Sequence, residues 1–312
     1  MSDADNNNEY EVQEQECCQD SEDFQDSQEQ VSEEKPKKSS NPVPIVDAIK
    51  GMLSFFTIFK LNVGERESDA MEKNFWLVPI IGFIIGLAAF IVVFIIDYVI
   101  GGLFIEAVAA IATVLILSKF LHFDGLADFG DGMVASGDKE KHVRALKDTT
   151  IGAGGLGVAF IVTMVSIACY TGIPWGIVGV PFIVLGIEAV VKNAQVVAAA
   201  FGEPSDGMAG KQVAETGMNS MILSTILAAV FMAIAVVLGV LYSDFDFGDV
   251  GKEMAVMIIV PVLASVLVGF GMAKIANRTF GFVNGDILGA TNEIARAVSL
   301  LLMLFVLGLI WL

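Results

Sequence analysis

Long apolar runs without charged residues, separated by short polar stretches, make up most of the chain from residue 75 onward. The clearest run, Phe75–Ile96, has 22 residues, and a helix that crosses a bilayer needs about 20 apolar residues. Further spans are predicted near residues 107–118, 155–170, 177–200, 218–242, 254–273 and 297–312. Lipid offers no partners for backbone polar groups, which favours helices. The pattern therefore predicts an all-α, polytopic integral membrane protein with about seven transmembrane helices.

Two of these runs carry further structural information. Residues 149–187 have no charge over 39 positions, which is too long for one helix. The segment Thr171–Trp175, with its Gly and Pro, supplies the turn that divides this run into two spans. In the first span of the chain, Gly82 and Gly86 form a GxxxG pattern. This pattern is typical of closely packed membrane helices, so we expect a tight helix contact there.

The segment before the first span has a different composition. Residues 1–40 are rich in Asp, Glu, Gln, Asn and Ser, which predicts a disordered acidic tail. Residues 43–59 are apolar but interrupted by Asp47 and Lys50, which favours an amphipathic helix at the membrane surface over a span. Residues 61–73 are interpreted as a charged loop. The predicted organisation is thus a tail, residues 1–40, and an integral membrane domain, residues 41–312.

Composition supports the membrane class, and the charge belongs mainly to the tail. The chain is 55% hydrophobic, with a mean hydropathy of +0.70 and a net charge of −18. Residues 1–34 hold 13 Asp and Glu and no Lys or Arg, which leaves 23 acids against 18 bases elsewhere. No basic patch with interleaved aromatic residues occurs, so we expect no nucleic-acid partner. Cys17, Cys18 and Cys169 lack the spacing of a disulfide framework or zinc site.

The distribution of basic residues predicts the orientation in a cell membrane. Positive charge collects on the cytoplasmic side of membrane proteins. With seven spans and a cytoplasmic N-terminus, Lys252 is the only Lys or Arg in an outer loop, and Lys192 lies within the fourth span. The same arrangement places the three polar loops with unusual residues on the cytoplasmic face. We therefore predict that these loops form a single site.

The most informative polar stretch is Leu121–Gly155, between two apolar runs. Asp124, Asp128 and Asp131 are spaced by four and three residues, so they share one face of a helix. Like charges on one face repel each other unless a cation lies among them, and carboxylates with substrate phosphates are typical magnesium ligands. The alternative is a solvated helix end with scattered acids. The pattern predicts a Mg2+ site, with all three aspartates as ligands, that handles a phosphate ester.

The rest of this stretch adds basic residues and a glycine-rich turn. Arg144, Lys147 and Asp148 come shortly before IGAGG, in which Gly152 and Gly155 open the next apolar helix. Free N–H groups at a helix N-terminus bind anions, so a phosphate is expected here. A basic loop that faces acidic lipid would explain the basic residues equally well.

Roles are assigned to these residues as follows. His122 is a candidate general base, although a histidine at a membrane interface is as often a structural hydrogen-bonding group. Gly125 and Gly132 would let a substrate approach the backbone. The candidate catalytic residues are His122, Asp124, Lys147 and Asp148. The candidate substrate-binding residues of this stretch are Gly125, Gly132, Arg144, Gly152 and Gly155.

The later loops and one span supply further candidates for substrate binding. Asp206 and Lys211 lie in the second polar loop, and Asp286 and Glu293 lie seven residues apart in the third, on one helical face. A polar loop followed by a capped helix start would also explain the third stretch. Within the fourth span Lys192 follows Glu188 by four residues. Charges at membrane depth are functional candidates, although an ion-paired couple can be purely structural.

The stretch HFDGLADFGDGMVASGDKEKHVRALKDTTIGAGG, residues 122–155, resembles the motif of the cobalamin synthase family, also called adenosylcobinamide-GDP ribazoletransferases. Weaker similarities are SFFT at 54–57, FWLVPIIGFIIG at 75–86 and GDILGA at 285–290. The chain departs from the family pattern at Ile58, Phe59 and Lys60, and at Lys192 and Asn193, where an Arg is usual.

The resemblance implies a membrane enzyme of the last stage of cobalamin (vitamin B12) biosynthesis. Such an enzyme joins adenosylcobinamide-GDP to α-ribazole or its 5′-phosphate, releases GMP and needs Mg2+. The implied partners are therefore a corrinoid nucleotide, an α-ribazole substrate and membrane lipid. A homo-oligomer, or a complex with other late corrinoid-pathway enzymes, stays open.

Two other functions are weighed against this one. Asp128, Asp131 and Gly132 match half of the pattern of CDP-alcohol phosphotransferases, but Ser136 stands where that family has Arg. That family would also use magnesium to expel a nucleoside monophosphate. An ion-coupled transporter would spread its acids through the spans, whereas these acids collect in the polar loops.

Overall fold

The computed structural model describes residues 45–173, 177–243 and 245–312, which belong to a compact unit, Pro42–Leu312. The predicted tail, residues 1–40, lies outside the described residues. The secondary structure of the described residues is helical, apart from one isolated bridge between Pro204 and Val283. The helices are α1 (Ile45–Phe56), α2 (Glu65–Lys73), α3 (Val78–Val99), α4 (Leu103–Leu117), α5 (Leu121–Val134), α6 (Lys139–Leu146), α7 (Ala153–Thr171), α8 (Val180–Phe201), α9 (Gly207–Glu215), α10 (Met218–Tyr242), α11 (Gly251–Thr279) and α12 (Gly285–Ile310).

Six of these helices are long and apolar enough to cross a membrane: α3 with its preceding 3-10 turn, α7, α8, α10, α11 and α12. Helix α4 has only 15 residues, and α5 leaves it at an angle of 93°. The two together count as a seventh, broken span. The sharp bend turns α5 away from the direction of α4, so α5 is not one of the six unbroken spans. The prediction of an all-α polytopic membrane protein is confirmed.

Helix α8 forms the centre of the bundle. All its residues from Val180 to Ala199 are buried, and α3, α10, α11 and α12 pack around it. The two glycines of the GxxxG pattern lie on α3 at the contact with α8. A Cβ at Gly86 would lie 2.6 Å from the carbonyl oxygen of Leu185, and one at Gly82 would collide with the carbonyl oxygen of Glu188. The predicted tight helix contact is therefore confirmed.

The last span begins earlier than the sequence pattern indicated. We predicted a start near residue 297, because polar residues such as Asn292, Glu293 and Arg296 looked like a loop. In the structure α12 begins at Gly285, and these three side chains are buried inside the bundle. The prediction was wrong because it assigned these polar residues to the surface. In the structure they have buried polar partners: Arg296 pairs with Glu188 and Glu293, and Asn292 accepts from Lys192.

The segment before the first span forms two helices that pack on each other. Helix α1 confirms the predicted helix in residues 43–59, while the predicted loop 61–73 contains α2. Gly51 allows the close contact, since a Cβ there would lie 2.6 Å from the carbonyl oxygen of Glu67. The Lys50 ammonium lies 2.6 Å from the Glu67 carboxylate, and Arg66 pairs with Asp47 at 2.7 Å. The charges that interrupt α1 therefore hold α2.

The other two predicted loops also contain helices. Helix α6 lies in the long polar stretch, and Asp138 caps it by accepting a hydrogen bond from the Lys141 N–H at 3.1 Å. Helix α9 lies in the second polar loop, which is tied to the third loop by a 2.7 Å hydrogen bond from the Val283 N–H to the Glu203 carbonyl. The polar loops are thus structured and meet at one end of the bundle.

Candidate functional site

The chain enters α5 through a turn with an unusual backbone. Lys119 and Phe120 have φ angles of 54° and 57°, in the left-handed region that residues with a Cβ rarely adopt. Each such residue costs roughly 1–3 kcal/mol, and they collect at functional sites. The turn ends α4 and sends α5 across the end of the bundle at 93°. The aspartate-bearing helix is thereby placed over the start of α12.

Two glycines allow α5 and α12 to touch. A Cβ at Gly125 would lie 2.7 Å from the Asp286 carbonyl oxygen, and one at Gly289 would lie 3.1 Å from the Cα atom of His122. The sequence assigned Gly125 to close approach of a substrate, but the structure fills that space with α12. The contact brings Asp286 next to the face of α5 that carries Asp124 and Asp128.

These carboxylates converge at the open end of the bundle. Asp124 is exposed, and Asp128 and Asp286 are half-buried. Burial, together with the charges of Asp286, Asp124 and Asp131, raises the pKa of Asp128 to about 6. Mutual repulsion of this kind is the condition in which a cation is bound strongly. The structure thus brings a carboxylate of the third loop to those of the first.

Asp131 has a different environment from its two neighbours on α5. Its carboxylate accepts hydrogen bonds from the backbone N–H of Gly152 at 2.6 Å and of Gly155 at 2.7 Å. Those N–H groups belong to the first turn of α7, where a carboxylate replaces the missing helical partners. The predicted metal ligand is therefore a cap for α7. The two glycines predicted to bind a phosphate have Asp131 as their anion.

Asn284 and Lys147 surround Asp286. The Asn284 side chain caps α12 by accepting from the Ile287 N–H at 3.1 Å, and its amide donates to the Asp286 carboxylate at 2.7 Å. The Lys147 ammonium lies 5.5 Å from the centre of the Phe282 ring, two residues before this cap. The structure therefore brings the predicted catalytic lysine to the start of α12, beside the carboxylates.

The remaining residues of the first polar stretch are positioned as follows. Gly132 packs under Phe280, and its carbonyl accepts a 2.8 Å hydrogen bond from His142 Nδ1, which binds α6 to α5. Asp148 is exposed and accepts from the Thr150 N–H at 2.9 Å, which fixes the turn into α7. Arg144 is exposed in the last turn of α6. Gly132 thus serves packing, whereas Asp148 and Arg144 stay accessible.

His122 points into the bundle and not towards the carboxylates. Its side chain is 2% exposed, and its ring stacks on Phe56 with 5.8 Å between ring centres. The Lys192 ammonium lies 2.8 Å from His122 Nε2 and 3.0 Å from Asn292 Oδ1. A buried imidazole that accepts from an ammonium is not available to a substrate proton. The alternative of a structural histidine therefore describes it better than that of a general base.

Below this contact lies a buried ion network that the sequence did not predict. Arg296 is 0% exposed and donates to both carboxylate oxygens of Glu188, at 2.7 and 2.9 Å. Its third contact is with Glu293, which also accepts from Asn292 at 3.0 Å. Glu188 therefore pairs with α12 and not with Lys192, its neighbour along α8. Lys192 and Glu293, both predicted to bind substrate, are buried and engaged in these contacts.

A signal for this network was present in the sequence. Asn292, Glu293 and Arg296 lie on one turn of a helix, and Glu188 and Lys192 lie on another. Buried charges need partners, so two polar turns within apolar helices indicate a contact between those helices. Reading the first set as a loop concealed the partner of Glu188.

The second polar loop reaches the site only through its first residues. A Cβ at Gly285 would lie 3.9 Å from the Ala209 side chain, so the start of α9 lies beside the start of α12. Asp206 is exposed directly before α9. Lys211 faces the other way, with its ammonium 3.9 Å from the Glu72 carboxylate on α2. The structure therefore places the start of α9, which Asp206 precedes, beside the start of α12, and directs Lys211 towards α2.

The carboxylates of Asp124, Asp128 and Asp286 are candidate ligands for a magnesium ion. Among the described residues, no group of three or more His, Cys, Asp or Glu side chains is arranged as a metal site. Magnesium, however, usually takes only one or two protein carboxylates and completes its shell with water and substrate phosphates. Asp124, Asp128 and Asp286 supply more carboxylates than this minimum, with mutual repulsion at Asp128. The donor set fits magnesium together with a phosphate substrate.

Comparison with known proteins gives a consistent result. The family model described as cobalamin-5-phosphate synthase matches residues 48–304. A relative from Methanocella arvoryzae, named adenosylcobinamide-GDP ribazoletransferase, is 29% identical over 82% of this chain and 94% of its own length. One of the same name from Methanosarcina barkeri is 28% identical over 84% and 93%. No solved structure matches the chain.

The match begins within α1 and ends within α12, and it includes all the helices between them. It covers more than four fifths of the chain, and within it lie the converging carboxylates, the capped start of α7 and the buried ion network. The partial similarity to CDP-alcohol phosphotransferases, at residues 128–136, lies within this family match. The chain belongs to the cobalamin-5-phosphate synthase family.

Proposed function

We propose that this protein joins adenosylcobinamide-GDP to α-ribazole or its 5′-phosphate and releases GMP; two of its relatives are named adenosylcobinamide-GDP ribazoletransferase. The observation that carries the proposal is the convergence of Asp124, Asp128 and Asp286 at the open end of a membrane-spanning bundle. Transfer from a diphosphate-containing substrate is favoured by such a concentration of metal-binding oxygens. An ion-coupled transporter would instead need accessible charges along the spans, whereas Glu188 and Arg296 are fully paired.

Magnesium is the proposed cofactor, held by Asp124 and Asp128 with Asp286 as the third carboxylate. When bound, it would neutralise negative charge on the diphosphate of the substrate. Asp131 is left out of this set because it caps α7. By fixing the start of α7 on α5, Asp131 keeps the helix that presents the other aspartates in place.

The proposed reaction breaks one P–O bond and forms another. A ribose hydroxyl of α-ribazole attacks the phosphorus that carries the cobinamide. The bond from that phosphorus to the oxygen shared with GMP breaks, and GMP leaves with that oxygen. Phosphoryl transfer of this kind depends mainly on positioning and charge neutralisation.

Two exposed side chains of the first polar stretch are assigned to this chemistry. Lys147, at the end of α6 and beside the start of α12, neutralises phosphate oxygens of the substrate. Asp148 takes the hydroxyl proton, since it is exposed and held in place by the Thr150 N–H. His122 is withdrawn from this role because Lys192 and Phe56 enclose it.

We further propose that the site faces the cytoplasm. The distribution of Lys and Arg supports this orientation, since Lys252 is the only one in an outer loop of the predicted seven-span arrangement. Labelling of a cysteine introduced at exposed Arg144 in sealed membrane vesicles tests it. Modification in inside-out but not in right-side-out vesicles is expected.

The activity is tested with purified protein in detergent, supplied with adenosylcobinamide-GDP, α-ribazole and magnesium. GMP release should equal formation of the joined corrinoid, and omission of α-ribazole should abolish both. GMP release that is independent of α-ribazole would indicate a hydrolase and contradict the proposal.

A further inference from the structure

A cavity of about 430 Å³ lies beside the carboxylates and has no role in the site described so far. It is enclosed by α1, α2, the turn into α5 and the start of α9. Drug-sized ligands bind in concave, mostly apolar pockets of roughly 300–1,000 Å³ with a few polar groups. The size of this open cavity therefore suits one small organic molecule.

The walls of the cavity are apolar and partly open. They are formed by Phe55, Val63, Met71, Leu121 and Met208. Phe55, Leu121 and Met208 remain 39%, 37% and 40% exposed. An aromatic ring and two flexible apolar side chains around one space are suited to the faces of a flat aromatic group.

The polar groups of the cavity lie at the strained turn and on the two N-terminal helices. Lys119, Ser54 and Ser68 contribute to the lining. The Lys119 ammonium donates to the Ser54 carbonyl at 3.3 Å, so the left-handed turn directs this charge to the edge of the cavity. Two hydroxyls and one ammonium match a sugar and a phosphate better than a hydrocarbon chain.

The cavity and the carboxylates share one helix face. Leu121 lines the cavity, and Asp124 and Asp128 follow it at three and seven residues on the same side of α5. One turn of helix, about 5 Å, therefore separates the apolar wall from the first carboxylate. Met208 lines the same cavity, while its neighbour Ala209 contacts the start of α12. A molecule in the cavity would extend directly to the proposed metal ligands.

We infer that this cavity binds the nucleoside substrate, with the bicyclic aromatic base of α-ribazole between Phe55 and Leu121 and the ribose directed to Asp124. This inference rests on the function proposed above. Lys119 then meets the 5′-phosphate when the phosphorylated nucleoside is used. The corrinoid nucleotide is far larger than the cavity and occupies the open side of the carboxylates.

The inference is tested by filling the cavity. Ser68→Phe places a ring in it, whereas Ser220→Phe makes the same change at a half-buried position on α10 that does not line it. We expect Ser68→Phe to raise KM for α-ribazole about tenfold and to leave KM for adenosylcobinamide-GDP within about twofold. Ser220→Phe should change neither constant.

Two further variants keep the test decisive if Ser68→Phe folds poorly. Leu121→Ala enlarges the cavity and should weaken equilibrium binding of labelled α-ribazole, measured by dialysis without the corrinoid. Lys119→Asn removes the ammonium, and Asn tolerates the left-handed backbone at this position. It should raise KM for α-ribazole 5′-phosphate several-fold more than KM for α-ribazole.

The possible results separate this inference from the proposed function. Absence of turnover in the unaltered protein would contradict the proposed function. Normal turnover with an unchanged KM for α-ribazole in Ser68→Phe, or with a raised KM for the corrinoid alone, would overturn the nucleoside cavity. Retention of lipid in the cavity without competition from α-ribazole would overturn it as well.

Discussion

Asp128 and Asp131 lie three residues apart on α5, yet the structure gives them opposite environments. Asp131 receives two backbone hydrogen bonds from the start of α7. Asp128 is half-buried among other carboxylates, which together with burial raises its pKa to about 6. One carboxylate is therefore stabilised by its surroundings and the other lacks a counter-charge. The spacing of the aspartates cannot distinguish them, because it shows the shared face but not what packs against it.

The first prediction compares these two positions. Asp128→Asn should reduce turnover more than about 100-fold because it removes a metal-binding charge, and thermal stability should be unchanged or higher because it also removes repulsion. Asp131→Asn should lower the free energy of unfolding by about 1–3 kcal/mol, since the α7 cap is weakened. Turnover and thermal unfolding in detergent are measured on both. Equal effects on turnover at unchanged stability would show that Asp131 is also a ligand.

The second prediction concerns Arg296, which pairs with two buried glutamates. Arg296→Met leaves Glu188 and Glu293 without their partner, and breaking a buried pair costs about 3–5 kcal/mol. The matched variant Glu188→Gln, Glu293→Gln, Arg296→Met removes all three charges and should recover much of the loss. Thermal unfolding of purified protein compares them. An unfolding midpoint for Arg296→Met equal to that of the unaltered protein would show that the network contributes no stability.

At the scale of elements, the length of the apolar runs predicted most spans. It did not predict the helices α2, α6 and α9 or the start of α12. Long apolar runs identified α3, α7, α8, α10 and α11, although the run of α8 contains Glu188 and Lys192. Helix α2 was missed because a charged helix that packs on one neighbour has the composition of a loop. The 93° bend between α4 and α5 depends on two left-handed residues, Lys119 and Phe120, which no local pattern marks.

The third prediction tests the contact between α3 and α8. Gly86→Ala places a methyl group about 2.6 Å from the Leu185 carbonyl oxygen, and the backbone of α8 cannot yield without moving the core. Overpacking of this kind costs about 1–3 kcal/mol.

Gly157→Ala is the control, because a Cβ at that position of α7 meets no atom within 4 Å. It should be neutral or slightly stabilising, since Ala favours a helix more than Gly does. Thermal unfolding distinguishes the two variants. Equal midpoints would contradict the packing described for the centre of the bundle.

For the whole molecule, the sequence predicted where the site lies better than how it is built. The alternation of apolar runs and polar loops was sufficient to predict that the loops meet at one end of the bundle. In the structure Gly125 contacts Asp286 there. The roles of buried polar residues were not predictable, since the partners of Lys192 and Glu188 come from α5 and α12, distant in sequence. Which residues belong to the catalytic site, as opposed to its support, depends on such long-range contacts.

The fourth prediction concerns the N-terminal segment. Deletion of residues 2–40 should leave turnover in detergent within about twofold, because the family match begins at residue 48 and the carboxylates lie on α5 and α12. The assay is GMP release by purified, monodisperse protein. A large loss of turnover in truncated protein of unchanged thermal stability would make this segment part of the mechanism.

The central claim is that carboxylates from α5 and α12 together form a magnesium-dependent transfer site. It is tested most directly by the magnesium concentration that gives half-maximal GMP release in the unaltered protein, Asp286→Asn and Asp131→Asn. We expect Asp286→Asn to need at least about tenfold more magnesium, because it removes one of the carboxylates at the site. Asp131→Asn should keep the original requirement. Turnover that persists after removal of magnesium, or an unchanged requirement in Asp286→Asn, would contradict the claim.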